Sequence, residues 1–134
     1  MTNSVAWTTV AYYNIAAGIL TGLLAAVFGA IDWLAIPSGT RAKWIGLYHG
    51  LGNVVVVALF ALSWWLRSAN VDFIPDTRAF ALGVAGLMLG AVTGWLGGEL
   101  VDRLGVGVDD GAHLNSPSSL SGRPAHEGGT RRPV

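Results

Sequence analysis

The sequence predicts an all-α integral membrane protein: a bundle of three transmembrane helices followed by a disordered C-terminal tail. Charged residues make up only 12% of the chain, about half of the roughly 25% typical of soluble domains. No Asp, Glu, Lys or Arg occurs within residues 1–31, 44–66 or 79–98. Each stretch reaches the roughly 20 residues that cross a hydrocarbon core. A soluble bundle needs a charged outer stripe on every helix, so this pattern excludes that class.

Breaker residues and charges place the helix ends. The first helix is expected over about residues 10–36, because Pro37-Ser38-Gly39 follows it. The second is expected over about 43–67, and a polar link separates it from a third over about 78–103. Residues 1–110 therefore form one transmembrane domain. Residues 111–134 are rich in Gly, Ser, Pro and charge, which predicts a disordered tail.

Aromatic residues support these boundaries. Amphipathic indole rings favour the headgroup level of a bilayer, where one edge stays hydrated. All six tryptophans fall near predicted helix ends, at Trp7, Trp33, Trp44, Trp64, Trp65 and Trp95. The helices are therefore expected to start and stop near the two interfaces.

Small residues recur every four positions on the helices. Rows of glycine let a neighbouring helix approach closely, which favours association inside a membrane. The residues expected to form such packing faces are Gly18 and Gly22 on the first helix, and Gly86, Gly90, Gly94 and Gly98 on the third. Gly46 and Gly50 begin a shorter row on the second. The pattern predicts a compact bundle, and a partner protein or a second copy packed on the glycine faces.

The distribution of positive charge predicts the orientation. Arg41 and Lys43 lie in the first link and Arg103 follows the third helix, so both regions are expected in the cytoplasm of a bacterial cell with an inner-membrane location. The formal net charge is zero, which gives no reason to expect nucleic acid as a partner. The absence of cysteine excludes disulfides, thiolate catalysis and cysteine-ligated metals.

Polar residues at membrane depth are the candidates for function. Alternating helix direction brings them to one side of the bilayer, as a layer of Asp32, Arg41, His49, Asn53, Glu99 and Arg103. Asp32 or Glu99 can accept a hydrogen bond from the imidazole of His49, or pair with Arg41 or Arg103. We therefore expect Asp32, His49 and Glu99 to act as one hydrogen-bonded layer.

The layer has three interpretations. It can be a satisfied polar lattice that fixes helix register, or a site for a proton, an ion or a quinone headgroup. His49 can also ligate haem, although the other histidines, His113 and His126, lie in the tail. No nucleophile has a base beside it in the sequence, so we predict no catalytic residue, no metal site, no resident cofactor and no enzymatic activity.

Four segments carry a resemblance to a known family. The chain resembles, over about residues 11–110, the bacterial membrane family catalogued as domain of unknown function 2231. The resemblance rests on Ile31-Asp32-Trp33-Leu34, Gly39-Thr40-Arg41-Ala42, Gly46-Leu47-Tyr48-His49-Gly50-Leu51-Gly52-Asn53 and Gly94-Trp95-Leu96-Gly97-Gly98-Glu99-Leu100-Val101, followed by Gly105-Val106-Gly107-Val108.

The resemblance implies a four-helix membrane module, sometimes fused to or encoded beside redox domains such as Rieske proteins. Two differences from the family pattern are expected to matter. The usual first helix, with its histidine-proline pattern, is absent here, and Glu99 stands where many members carry histidine. We therefore expect a non-catalytic subunit or anchor of a membrane complex. The alternative is a redox-associated module that binds haem or quinone near Asp32, His49 and Glu99.

Overall fold

The computed structural model describes residues 2–128, with side chains from residue 5 onward. It contains three long helices: α1 over Thr2–Ala35, α2 over Arg41–Ser68 and α3 over Thr77–Gly98. All three are long and apolar enough to cross a membrane, and the part of the chain that the structure describes has no β-strand. These features confirm the predicted all-α transmembrane fold.

The short connections are set by local capping and by glycine. The α1–α2 link passes through Gly39, which adopts φ +79°, a conformation that side chains with Cβ disfavour. Thr40 then caps α2, because its side-chain oxygen accepts a hydrogen bond from the Lys43 amide. Asp76 caps α3 in the same way through the Ala79 amide, at 2.8 Å. Both helices therefore begin where a side chain satisfies a free backbone donor.

The first helix begins earlier than the sequence predicts. It starts at Thr2 rather than near residue 10, because no proline or glycine interrupts its first turns. These extra turns reach the α2–α3 connector, where the Thr8 hydroxyl donates to the Asp72 carbonyl at 2.8 Å. Tyr12 stacks there on Phe73, with ring centroids 4.0 Å apart, and on Trp64. The connector thus anchors the N-terminal half of α1.

The third helix changes its hydrogen-bond pattern at its end. A π-helical turn over Glu99–Arg103 continues α3, and the Leu104 amide reaches back to the Glu99 carbonyl at 3.2 Å. Such wide turns are rare in helices and are frequent at functional sites.

The region expected to be disordered has, in its described residues 111–128, only turns and a short 3₁₀ helix at Ser119–Ser121. Its disorder stays a prediction, and residues 129–134 lie outside the described part.

The second helix is the centre of the bundle. It packs closely along α3 and contacts α1, whereas over the described residues no Cα atom of α1 lies within 8 Å of a Cα atom of α3. The α2–α3 seam is tight, and it buries Ser63, Ala79 and Thr93. The α1–α2 contact is looser, since residues 23–32 of α1 are all exposed within this chain. The bundle therefore has one closed seam and one open one.

Candidate functional site

An apolar groove opens between α1 and the end of α3, and α2 forms its floor. Its volume is about 1360 Å³, larger than the roughly 300–1,000 Å³ of ordinary ligand pockets. Small residues line much of its wall, including Gly22, Ala26, Gly29, Gly46 and Gly50. We call this feature the α1–α3 groove. Small residues on this part of the wall let a neighbouring helix approach closely.

The expected polar layer lies at one end of this groove. Four of its six residues line the groove, namely Asp32, Arg41, His49 and Asn53. Glu99 and Arg103 lie in the adjoining π-helical turn. The sequence therefore predicts which residues share this end of the molecule, but their hydrogen bonds differ from the expected ones.

The His49 ring is hydrogen-bonded to a backbone carbonyl of α3. His49 Nδ1 lies 2.8 Å from the Thr93 carbonyl oxygen. Because a carbonyl only accepts, Nδ1 carries the proton in this contact. Nε2 lies 3.2 Å from the amide nitrogen of Asn53, which also donates to the His49 carbonyl at 2.9 Å. Both ring nitrogens are therefore engaged, and neither contacts a carboxylate.

Thr93 completes this network and was missed by the sequence analysis. Its hydroxyl donates to Asn53 Oδ1 at 3.1 Å and also lies 3.0 Å from the Gly90 carbonyl. The side chain is only 2% exposed. Threonine is common in apolar helices because it can bond to its own backbone, so nothing in the sequence distinguished it. His49, Asn53 and Thr93 together form what we call the α2–α3 polar cluster.

Glu99 belongs to a different group from His49. Its Oε1 accepts a hydrogen bond from Arg41 Nη2 at 2.7 Å, which forms an ion pair. This pairing was one of the alternatives that the sequence left open. Since the Arg41 side chain is 59% exposed, solvent or headgroups screen the pair, and its contribution to stability is modest. It fixes the π-helical turn against the start of α2.

The expected single layer of Asp32, His49 and Glu99 therefore requires correction. Among the described residues, no hydrogen bond joins any two of them. The physical reason is rotational: equal depth does not fix which way each helix face points. Asp32 is exposed towards the groove, and its carboxylate forms no hydrogen bond to the described residues. Arg103 is also exposed.

Lysine and tryptophan close the α1–α2 link at the same end. Lys43 Nζ donates to the Trp33 carbonyl at 2.7 Å and lies 3.9 Å from the centroid of the Trp33 ring. The Trp33 indole returns a hydrogen bond to the Lys43 carbonyl at 3.0 Å. The cation–π contact adds to these bonds. Lys43, expected only as an orientation signal, thus fixes the end of α1.

Some of the glycines expected to form packing faces contact a neighbouring helix, and others do not. A Cβ added to Gly86 would lie 3.0 Å from the Phe60 ring, and one at Gly22 would lie 3.2 Å from Val57. Gly90 makes only a 4.0 Å approach. A Cβ at Gly18 or Gly94 would meet nothing within 4 Å, and one at Gly98 only Asp102 of its own turn.

Three other glycines of the helices, Gly46 of the shorter row among them, make close contacts inside the chain. A Cβ at Gly52 would lie 2.5 Å from Thr93 Cγ2, one at Gly46 would lie 2.8 Å from Trp33, and one at Gly97 would lie 3.0 Å from the His49 ring. The signal for Gly52 and Gly97 in the sequence was weak, since glycine is abundant throughout these helices. Close helix contact therefore depends on a set of glycines that only partly overlaps the expected one.

These features define a polytopic helical membrane protein with a tight α2–α3 seam and an open apolar groove. The family model described as predicted membrane protein (DUF2231) matches residues 1–110, and the chain belongs to that family. No curated protein and no solved structure matches the chain. The match covers all three helices and the π-helical turn, and it ends where the tail begins.

Proposed function

We propose that the protein is a non-catalytic subunit or anchor of a membrane complex, and that the α1–α3 groove holds a transmembrane helix of another chain. The observation that carries this proposal is the groove itself, walled by Gly22, Ala26 and Gly29 of α1. Residues 23–32 are all exposed within the chain. Small residues on an unpacked helix let a neighbouring backbone approach closely, which favours a protein helix over lipid tails.

The polar end of the groove supports the same function. The α2–α3 polar cluster satisfies its hydrogen bonds internally, as expected of a lattice that fixes helix register. Asp32 does not: it is exposed and makes no hydrogen bond to the described residues. A carboxylate near hydrocarbon recruits a donor or becomes neutral, because desolvation penalises its charged form. A partner helix with a hydrogen-bond donor at this depth would satisfy it.

The test fills the groove without disturbing the bundle. Gly29→Trp places an indole in the groove, where a Cβ meets nothing within 4 Å. Val27→Trp is the matched control, because Val27 is exposed on α1 but does not line the groove. The proteins are extracted in native lipid discs, and the protein mass of each particle is measured.

Wild type and Val27→Trp should retain one additional chain at fixed stoichiometry, either a second copy or a different protein. Gly29→Trp should appear alone, with an unchanged thermal midpoint. A wild-type chain that is alone in native lipid contradicts the proposal. So does a Gly29→Trp protein that keeps its partner.

Haem fits the groove poorly. A bis-histidine site needs two available imidazoles, but both His49 ring nitrogens are engaged within the α2–α3 polar cluster. His113 lies in the tail, where its Nε2 is 3.3 Å from the Glu127 carbonyl. Glu99 pairs with Arg41. These residues therefore do not offer the two axial ligands that a haem site of this kind needs.

A quinone is the alternative occupant, and one observation favours it. Asp32 and Arg41 line the polar end of an otherwise apolar groove, which is the arrangement that a headgroup with a long apolar tail requires. Quinone extracted with the wild-type protein, and lost from both Gly29→Trp and Arg41→Gln, would favour this redox-associated function. Retention of a protein partner with no quinone favours the anchor.

A further inference from the structure

Arg67 is a buried cation at the end of the molecule opposite the groove. It lies in the last turn of α2 and is only 9% exposed. Its side chain runs back along the helix, so that Nε donates to Ser63 Oγ at 3.4 Å. The Ser63 hydroxyl in turn donates to the Ala79 carbonyl of α3 at 2.7 Å. The guanidinium is thereby directed into the α2–α3 seam.

Glycine on α3 makes room for this guanidinium. A Cβ at Gly83 would lie 3.9 Å from Arg67 Nη2 and 3.7 Å from Ser63 Oγ. Ala79, one turn earlier on the same face, is completely buried. The planar group therefore lies beside α3, and its Nη atoms are not among the fully buried side-chain nitrogens of the described residues that lack a partner, so they stay accessible at the edge of the seam.

No carboxylate of the described residues compensates this charge. The ion pairs of that part of the chain are Arg41–Glu99 and Arg123–Glu127. Asp76, at the start of α3, instead caps its own helix. A guanidinium presents five N–H donors, yet only Nε of Arg67 makes a hydrogen bond to the described residues. A desolvated charge favours an acceptor, and the described residues supply none beyond the Ser63 hydroxyl.

We propose that Arg67 binds the phosphate oxyanion of a phospholipid headgroup. Its guanidinium lies beside the turn that carries Trp64 and Trp65, and Trp65 is 64% exposed. Exposed tryptophans mark the headgroup level of the bilayer, which is where the lipid phosphates are. The planar fork of arginine matches two phosphate oxygens at once, and such charge-assisted bonds are stronger than neutral ones.

This site is separate from the α1–α3 groove. None of the groove-lining residues belongs to the last three turns of α2 or to the first turns of α3. The lipid site therefore does not depend on the proposed function, and loss of a partner chain would leave it intact.

The experiment compares lipids that differ only in phosphate. Delipidated protein in detergent is titrated with phosphatidylglycerol, with diacylglycerol of the same chains, or with inorganic phosphate, and binding is measured by native mass spectrometry and thermal shift. Arg67→Gln removes the charge. Arg78→Gln is the matched control, because Arg78 is an exposed arginine in the first turn of α3.

Wild type and Arg78→Gln should bind phosphatidylglycerol about tenfold or more tightly than diacylglycerol, and Arg67→Gln should lose this preference. Arg67→Lys keeps the charge without the planar fork, so its preference for phosphatidylglycerol should be smaller than that of wild type but still present. This variant also tests the proposal if Arg67→Gln does not fold. If the wild-type protein binds phosphatidylglycerol and diacylglycerol equally well, that result alone overturns the proposal. An unchanged preference in Arg67→Gln also overturns it. Inorganic phosphate that reproduces the full shift assigns the site to a free anion and overturns the lipid source.

Discussion

Thr93 shows how much of this bundle depends on a single side chain. Its hydroxyl satisfies Asn53, its carbonyl accepts from His49, and its methyl group faces Gly52. Because threonine is branched at Cβ, its χ1 angle is stiff, and the methyl group cannot turn aside easily. The same residue therefore fixes the polar cluster and limits how close α2 and α3 can come.

The contact between Gly52 and Thr93 gives a residue-scale prediction. Gly52→Ala should unfold more easily than Gly50→Ala by about 1–3 kcal/mol, since the new methyl group would overpack the seam. Gly50 is the matched control: it lies in the same helix, and a Cβ there meets nothing within 4 Å. The gain in helix propensity, about 1 kcal/mol, is common to both and cancels.

Thr93→Ser supplies the rescue, because it removes Cγ2 and keeps the hydroxyl. The stability that Gly52→Ala combined with Thr93→Ser loses in detergent should be smaller than the sum of the losses of the two single variants. Additive losses would show that the two residues do not meet in the folded protein.

At the scale of the helix, the glycine ladder of α3 packs only in part inside the chain, for a geometric reason. An α-helix turns about 100° per residue, so each step of four residues advances about 40° around the axis. Gly94 and Gly98 have therefore rotated away from α2, although Gly86 faces it. The residues that stay on the seam, Ala79, Gly86 and Thr93, recur every seven positions, a repeat that drifts by only about 20°.

This rotation predicts different outcomes for two glycines of the same ladder. Gly86→Leu should lower the thermal stability of the isolated chain in detergent by displacing Phe60, a loss of roughly 1–3 kcal/mol or more. Gly94→Leu should leave that stability nearly unchanged, because its Cβ direction is open. Equal losses for the two variants would mean that Gly94 also packs inside the chain.

At the scale of the whole molecule, α1 is held at both ends and open in between. Tyr12 stacks on the connector at one end, and Trp33 bonds to Lys43 at the other. Residues 23–32 of α1 are exposed within the chain. Under the proposed function, the two fixed ends would hold the α1–α3 groove open for a partner helix.

The orientation of the bundle is a prediction for the whole chain. Arg41, Lys43 and Arg103 lie at one end of the described structure, so that end and the C-terminus should face the cytoplasm. A C-terminal alkaline phosphatase fusion should be inactive, and a C-terminal green fluorescent protein fusion should be fluorescent. An N-terminal epitope should be accessible from the periplasm. Phosphatase activity at the C-terminus would reverse the assignment.

The sequence by itself determined the features that depend on local composition. Charge-free stretches determined three spans, and Pro37 with Gly39 determined the end of α1. Helix direction and a rise of about 1.5 Å per residue placed Asp32, His49 and Glu99 at a common depth. These inferences need only the distance along a helix axis, which can be counted from the sequence.

The tertiary structure decided everything that depends on rotation about a helix axis. It directed His49 to the Thr93 backbone and Glu99 to Arg41, and it left Asp32 exposed to the groove. It also selected Gly52 and Gly97 as contact points where the ladder had indicated Gly94 and Gly98. In a bilayer, apolar residues surround the helix on every side, so no amphipathic stripe reveals which face turns inward. Only the fit of side chains across the seam determines it.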